Sequence, residues 1–527
     1  MRKLLLAAAI AAAVLAAGLT RIADLDFWWH LRTGQLIVAT HSIPTTDVYS
    51  YTAFGHEYVD HEWLFQVMQY ATYSAFGPAG IALLKCLLFA ATLIVVAFYA
   101  VDRGVDPVVA GGLAFLSIAG GITRFIERPE LFSTLFAVLT YICADSFLRT
   151  RDWRWLAALP VICAVWSNVH AAVIVGLIIQ LLFVRSLAQG VALATSVAAS
   201  CLNPFGYRVL TVPFELTRII NSGVLDNQEW RHPALEKVPF YFVTLLLTGI
   251  LLVSRFEIRD SRFVARIGVA AFLAYISLRY VRNVGLFSVF MPMLVAEEAA
   301  RLRGAWRNAV AALGVIALGI VLTIYFPFER GFGEARYFPD DVVRFVKSRD
   351  LRGHMLNSYS FGGYLIWNLY PERRVFIDGR NEVYLPLMQR LKSARADSRA
   401  WNALLRDYAI DYALLEYVDE PDRITTIDST GRAITSFAPF TVSRFPRARW
   451  ALVDWGDNGM VFVRRGGPNS TDGEYDAIFP EGRGYQQHLV ASGAVDRARV
   501  IAQLQRKIAE DPECMRARWL LASIQKP

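Results

Sequence analysis

Asp24, Asp26, His30 and Arg32 occur together in Asp24-Leu25-Asp26-Phe27-Trp28-Trp29-His30-Leu31-Arg32-Thr33-Gly34, directly after an apolar run. A carboxylate in such a place can take a proton from an attacking group or hold a hard cation. Trp28 and Trp29 also suit a membrane-interface belt. A belt does not account for acidic side chains against a bilayer, where charge is costly and usually kept for function. Asp60-His61-Glu62-Trp63 offers a second base, Glu62 or His61, and an imidazole for a metal. At the start of an amphipathic helix, such a His-Glu pair is more often a cap and interface feature.

Glu127-Arg128-Pro129-Glu130 supplies further carboxylates. Mg²⁺ or Mn²⁺ prefers oxygen ligands and bridges phosphates, so Asp26 with Glu127 or Glu130 is a candidate metal set. Pro129 and the acids also fit the first turn of a helix. Arg279 and Arg282, with Arg32, are candidates for a phosphate, since guanidinium forks match that anion. Snorkelling to a headgroup is the competing reading. His170 ends Trp166-Ser167-Asn168-Val169-His170 and reads as packed at an interface. Gln228-Glu229-Trp230-Arg231-His232-Pro233 lies in a long loop, where a mobile element over a substrate is expected.

The elements that carry these residues are apolar. Positions 1–327 hold 45 charged residues and the remaining 200 hold 55, which predicts a membrane-embedded region followed by a water-soluble one. Apolar runs fall at 4–19, 78–101, 108–122, 131–148, 156–166, 171–184, 187–202, 238–253, 267–278, 284–295 and 310–326. The first also resembles a cleaved signal peptide, but the runs after it favour a membrane helix. With the N-terminus inside, fourteen Lys and Arg lie at cytoplasmic ends, Arg255 and Arg259 among them. Short outer turns carry four: Arg124, Arg128, Arg279 and Arg282. An odd number of spans then places the C-terminal region outside, across a bacterial inner membrane. The expected fold is an α-helical polytopic membrane protein of about 11 spans, with outer loops 21–77 and 203–237, over residues 1–327. An extracytoplasmic α/β domain follows at 328–485, and a tetratricopeptide-like helical tail at 486–527 that suits a protein partner. Within the α/β domain helices are expected at 340–347, 384–391 and 400–405, and strands at 354–357, 375–377, 412–415, 450–453 and 460–463. The five cysteines lack metal or redox spacing. The arginines sit at the ends of apolar segments rather than in a stripe with aromatics, which argues against nucleic acid.

Asp26, followed by aromatics and then Arg32, resembles the opening of the first outer loop in oligosaccharyltransferase catalytic subunits, which are GT-C membrane glycosyltransferases. Gly34, Ile43-Pro44, the stretch 60–63 and the stretch 375–380 continue the resemblance. A group of bacterial membrane proteins shares the Trp-Trp-His-Leu-Arg-Thr-Gly opening. The resemblance implies a GT-C-like fold in which Asp26, with Asp24 second, binds metal or activates an acceptor. It further implies a polyprenyl-phosphate sugar donor in the membrane lipid, an extracytoplasmic acceptor, and inversion at the anomeric carbon. The Trp-Trp-Asp triplet that reads the acceptor hydroxyl in protein N-glycosylation is replaced here by Ser358-Tyr359-Ser360. That change and the tail favour the alternative, a non-catalytic membrane scaffold or assembly factor that keeps the fold. A transporter ranks third, since few charges lie inside the spans apart from Lys85.

Overall fold

The computed structural model describes residues 1–224, 227–254, 261–324, 330–418, 422–427, 433–481 and 484–525. Arg255, Arg259 and the expected boundary at 327/328 lie outside them. The chain forms two units, residues 1–45 with 59–335 and residues 46–58 with 336–527.

In the first unit the helices are α1 (Arg2–Gly18), α2 (Phe27–Thr40), α3 (Trp63–Asp102), α4 (Pro107–Gly121), α5 (Glu130–Thr150), α6 (Arg154–Val169) and α7 (Val173–Phe183). They continue as α8 (Leu187–Ala199), α9 (Arg208–Asn221), α10 (Pro239–Val253), α11 (Ser261–Arg279), α12 (Val284–Leu294), α13 (Ala296–Ala299) and α14 (Gly304–Ile324). Apolar runs fold this way because a helix satisfies its own backbone where no water can. Among the described residues α3, α4 with its 3₁₀ extension to Arg124, α5, α11 and α14 are long and apolar enough to cross a membrane. The helices α6, α7, α8 and α10, and the stretch Val281–Leu294 that includes α12, are apolar but shorter. The chain is a multi-pass membrane protein.

The expected run from Pro78 begins at a break within α3. Gly77 there adopts φ 60°, a conformation open to glycine, and Pro78 restarts the helix. Helices α4 and α14 cross backbone to backbone: a Cβ built at Gly314 would lie 1.8 Å from the Gly112 carbonyl oxygen. Charges within this apolar bundle are paired. Lys85 Nζ donates to Glu127 Oε1 at 2.5 Å and to Thr20 Oγ1 at 2.8 Å, and Arg266 clasps Glu298 through two bonds of 2.8 and 3.0 Å.

The second unit contains α15 (Asp340–Arg349), β1 (His354–Asn357), α16 (Gly362–Leu369), α17 (Leu385–Ala396), α18 (Ser398–Asp407), β2 (Ile410–Glu416), β3 (Asp422–Ile427) and β4 (Ala433–Ala438). Then come α19 (Phe440–Arg444), β5 (Trp450–Trp455), β6 (Gly459–Arg464), α20 (Tyr485–Ala491), α21 (Arg497–Glu510) and α22 (Met515–Gln525). Its sheet runs β1-β2-β6-β5, with β1 parallel to β2 and the other pairs antiparallel. The hairpin of β3 and β4 stands apart from that sheet.

Residues 375–377, expected as a strand, do not join the sheet. Val375 N–H donates to Tyr49 O at 3.0 Å, and Tyr51 N–H donates to Val375 O at 3.1 Å, so the partner is a segment far upstream. That segment is held by charge as well. Arg380 Nη2 reaches both Asp47 Oδ1 and Asp378 Oδ2 at 2.6 Å, and the Tyr384 hydroxyl donates to Asp378 Oδ2 at 2.5 Å. All four side chains are buried. Helices α21 and α22 dock on their own unit: Lys507 Nζ donates to Asp454 Oδ1 at 2.8 Å, and Asp457 accepts from the first N–H groups of α22.

Candidate functional site

Asp26 stands at the N-terminus of α2, where the chain turns after leaving α1. Arg128, in the turn before α5, donates from Nη2 to Asp24 Oδ1 at 2.6 Å and lies 3.0 Å from Asp26 Oδ2. Its Nη1 donates to Glu229 Oε2 at 2.9 Å, and the other oxygen of Glu229 accepts from Arg124 at 2.7 Å. Arg282 then donates to Glu130 Oε1 at 2.9 Å, with Arg124 Nη2 3.5 Å from the same oxygen. Four carboxylates and three guanidiniums thus alternate in one chain within the first unit.

Burial raises the Asp26 carboxyl to about 7; Arg128 opposes the rise and Asp24 adds to it. The side chain nevertheless keeps 28% of its surface exposed, so a proton can reach it. Burial also works against the Glu229 carboxylate, yet Arg128 and Arg124 hold it ionised at about 2.

Beside the network lies a cavity of about 330 Å³. Arg124, Glu130, Arg282, His61 and His170 form its polar part, and Ile174, Val175, Ile178, Phe272, Leu286 and Val289 are among its apolar walls. Arg124 Nη2 is buried and has no hydrogen-bond partner among the described residues. At the same end Glu62 is ringed by imidazoles: His61 Nε2 and His170 Nε2 lie 3.7 and 3.6 Å from Oε1, and His30 Nε2 lies 3.5 Å from Oε2. Burial pushes His61 down to about 4 and His170 down to about 3, which makes both rings neutral at pH 7.

Solved structures with this architecture exist. The archaeal oligosaccharyltransferase AglB from Archaeoglobus fulgidus, in complex with an inhibitory peptide and a dolichol-phosphate, matches 98% of this chain and 83% of its own. The TM-score is 0.59 at 11% sequence identity. The fold is GT-C-like. The apo form of the Archaeoglobus fulgidus enzyme matches at TM-score 0.59 and 10% identity, over 86% of this chain and 79% of that one. The form tethered to an acceptor peptide with an NVT sequon matches at 0.56 and 11%, over 83% and 74%. No family model and no curated protein sequence matches the chain.

Within this GT-C-like fold the sequence candidates separate into groups. Asp24, Asp26, Glu130 and Arg282 meet in the charge network. His61 and Glu62 meet at the imidazole cluster. Arg279 pairs instead with His232 at 3.0 Å, and Arg32 donates to Gln35 at 2.6 Å; neither lines the cavity. Glu127 faces Lys85. Asp26, Glu127 and Glu130 therefore do not converge on a common point. Each already faces a cation, so this set does not fit Mg²⁺ or Mn²⁺. Among the described residues the group that could hold a metal is His61, Glu62 and His170.

Reading the sequence passed over Arg124, Arg128, Glu229 and His170 as parts of a site. The first two had a signal, since they break the inside bias of positive charge. Glu229 lies in the 228–233 stretch of a long loop, expected only as a mobile element over a substrate, and nothing local marked its carboxylate as a partner of Arg124 and Arg128.

Proposed function

We propose that the chain is a GT-C-like transferase that moves a sugar from a polyprenyl-phosphate-linked donor to an acceptor outside the cytoplasm of a bacterial cell. The observation that carries this reading is the cavity, lined by apolar side chains together with Arg124, Arg282 and Glu130. An isoprenoid chain suits such walls, and a phosphate suits paired guanidiniums. Arg124 Nη2 has a proton to donate there.

The acceptor heteroatom attacks the anomeric carbon and the bond from that carbon to the phosphate oxygen breaks. The acceptor proton passes to Asp26, which titrates close to neutrality. The electron pair leaves with the polyprenyl phosphate, and Arg124 and Arg282 stabilise its charge. Asp26 is joined to Arg124 through Arg128 and Glu229, and Arg124 to Arg282 through Glu130. No step passes through a metal at Asp26, whose carboxylate is paired with Arg128.

One observation favours the second reading, a scaffold that retains the fold without the chemistry: the acids of the network are all ion-paired. Glycan profiling of cells expressing Asp26→Asn or Arg282→Ala at normal levels separates the two. The transferase reading expects the product glycan to disappear in both. Unchanged glycans, alongside a phenotype on full deletion, would assign the chain to the scaffold class.

A further inference from the structure

Three imidazoles, those of His30, His61 and His170, surround the Glu62 carboxylate. The separations of 3.5 to 3.7 Å between ring nitrogens and Glu62 oxygens are too long for hydrogen bonds. They are close to what a bound metal needs. Two ligand atoms each about 2.0–2.1 Å from a tetrahedral cation lie roughly 3.3 Å apart, so a small closure of this cluster would complete the site. One ligand atom each from His61, Glu62 and His170 falls within 4.8 Å of the others.

The outer contacts orient the rings for that task. His61 Nδ1 faces the Val59 carbonyl at 3.3 Å; a carbonyl only accepts, so Nδ1 carries the proton and Nε2 presents its lone pair toward Glu62. His170 Nδ1 lies 2.7 Å from Ser133 Oγ, a contact in which either atom can donate, and that hydroxyl accepts from Trp166 Nε1 at 2.8 Å. Metal-binding histidines are typically steadied in this way through the second nitrogen.

We propose that His61, Glu62 and His170 form a binding site for a divalent first-row metal that favours imidazole, Zn²⁺ above all. Two nitrogen donors and one carboxylate suit Zn²⁺, whereas Mg²⁺ and Ca²⁺ select all-oxygen shells. Because His61 and His170 line the cavity, a fourth coordination position opens into it, the pattern of a three-ligand site that keeps room for water or a bound anion. The site differs from the carboxylate set expected from sequence, and it does not rest on the transferase reading.

The test uses the full chain in detergent, stripped with a chelator and titrated with Zn²⁺ by calorimetry; a Co²⁺-loaded sample is read by visible absorption. The expected result is one Zn²⁺ per chain, no competition from excess Mg²⁺, and a Co²⁺ spectrum of a four-coordinate site with nitrogen ligands. His61→Gln and His170→Gln should each weaken Zn²⁺ binding by about tenfold or more, and the double variant should abolish it. Asp26→Asn should bind Zn²⁺ as the parent does, which separates this proposal from the transferase one. Failure of the parent chain to take up Zn²⁺, a Co²⁺ spectrum typical of six-coordinate oxygen ligands, or undiminished binding by the double variant would overturn it. Should a variant not fold, the parent titration and its Co²⁺ spectrum decide the matter.

Discussion

The guanidinium of Arg128 lies 3.0 Å from the carboxylate of Asp26. That contact ties the turn before α5 to the entrance of α2 and sets a resident cation against the acid most suited to proton transfer. The pairing only partly offsets burial, so Asp26 is left titrating near 7 instead of in the usual carboxylate range.

If Asp26 is the base of the proposed transfer, the rate should rise with pH through about 7, because only the ionised carboxylate accepts a proton. Arg128→Gln removes the attraction that opposes burial, so the limb should move to higher pH. Asp26→Asn should lower the rate about 10²–10⁴-fold. The pH–rate profile of purified protein checks all three.

The same titration has a consequence for stability. The unfolded Asp26 carboxyl titrates near 3.8 and the folded one near 7, so between those values the folded state binds more protons. Stability from this group is thus greatest below pH 4 and falls as pH rises to 7. Asp26→Asn should flatten that part of the curve, measured by denaturation across pH.

Arg282→Ala should lower kcat by roughly 10²-fold if Arg282 stabilises the leaving phosphate. Arg282→Lys should recover part of the loss, since charge remains but the fork does not. Steady-state kinetics with a polyprenyl-phosphate donor read both.

Arg380→Met leaves Asp47 and Asp378 buried without their cation and should cost about 3–5 kcal/mol. Tyr384→Phe removes one bond to Asp378 and should cost about 1 kcal/mol. Chemical denaturation of the full chain gives the magnitudes, and proteolysis within 46–58 should accelerate in the first variant.

Gly314→Leu places a side chain against the Gly112 carbonyl and should destabilise the α4–α14 crossing by about 1–3 kcal/mol. Gly319→Ala, on the same helix with open space around it, meets no clash and should not destabilise, which makes it the control. Thermal unfolding in detergent compares them.

The apolar runs were legible because each carries its own structural instruction: a stretch without polar side chains buries its backbone polar groups by forming a helix. The strands at 354–357, 412–415, 450–453 and 460–463 were legible for a similar local reason, the dense packing of apolar residues between turns. Residues 375–377 misled because apolar character alone does not name a partner. The Tyr49–Tyr51 backbone supplies that partner, and no local pattern connects positions so far apart.

Composition and patterning by themselves determined a helical membrane region and a mixed α/β unit after it, and they marked Asp24, Asp26, His61, Glu62, Glu127, Glu130, Arg32, Arg279 and Arg282 as candidate reactive residue types. Tertiary structure decided which of these meet. It paired Asp26 with Arg128, gave Glu127 to Lys85, and brought His170 to the adjacent His61 and Glu62. Charge and ligand geometry act through space over a few ångströms, whereas sequence spacing constrains distance only within one helix or strand, so a site assembled from several elements has no local signature.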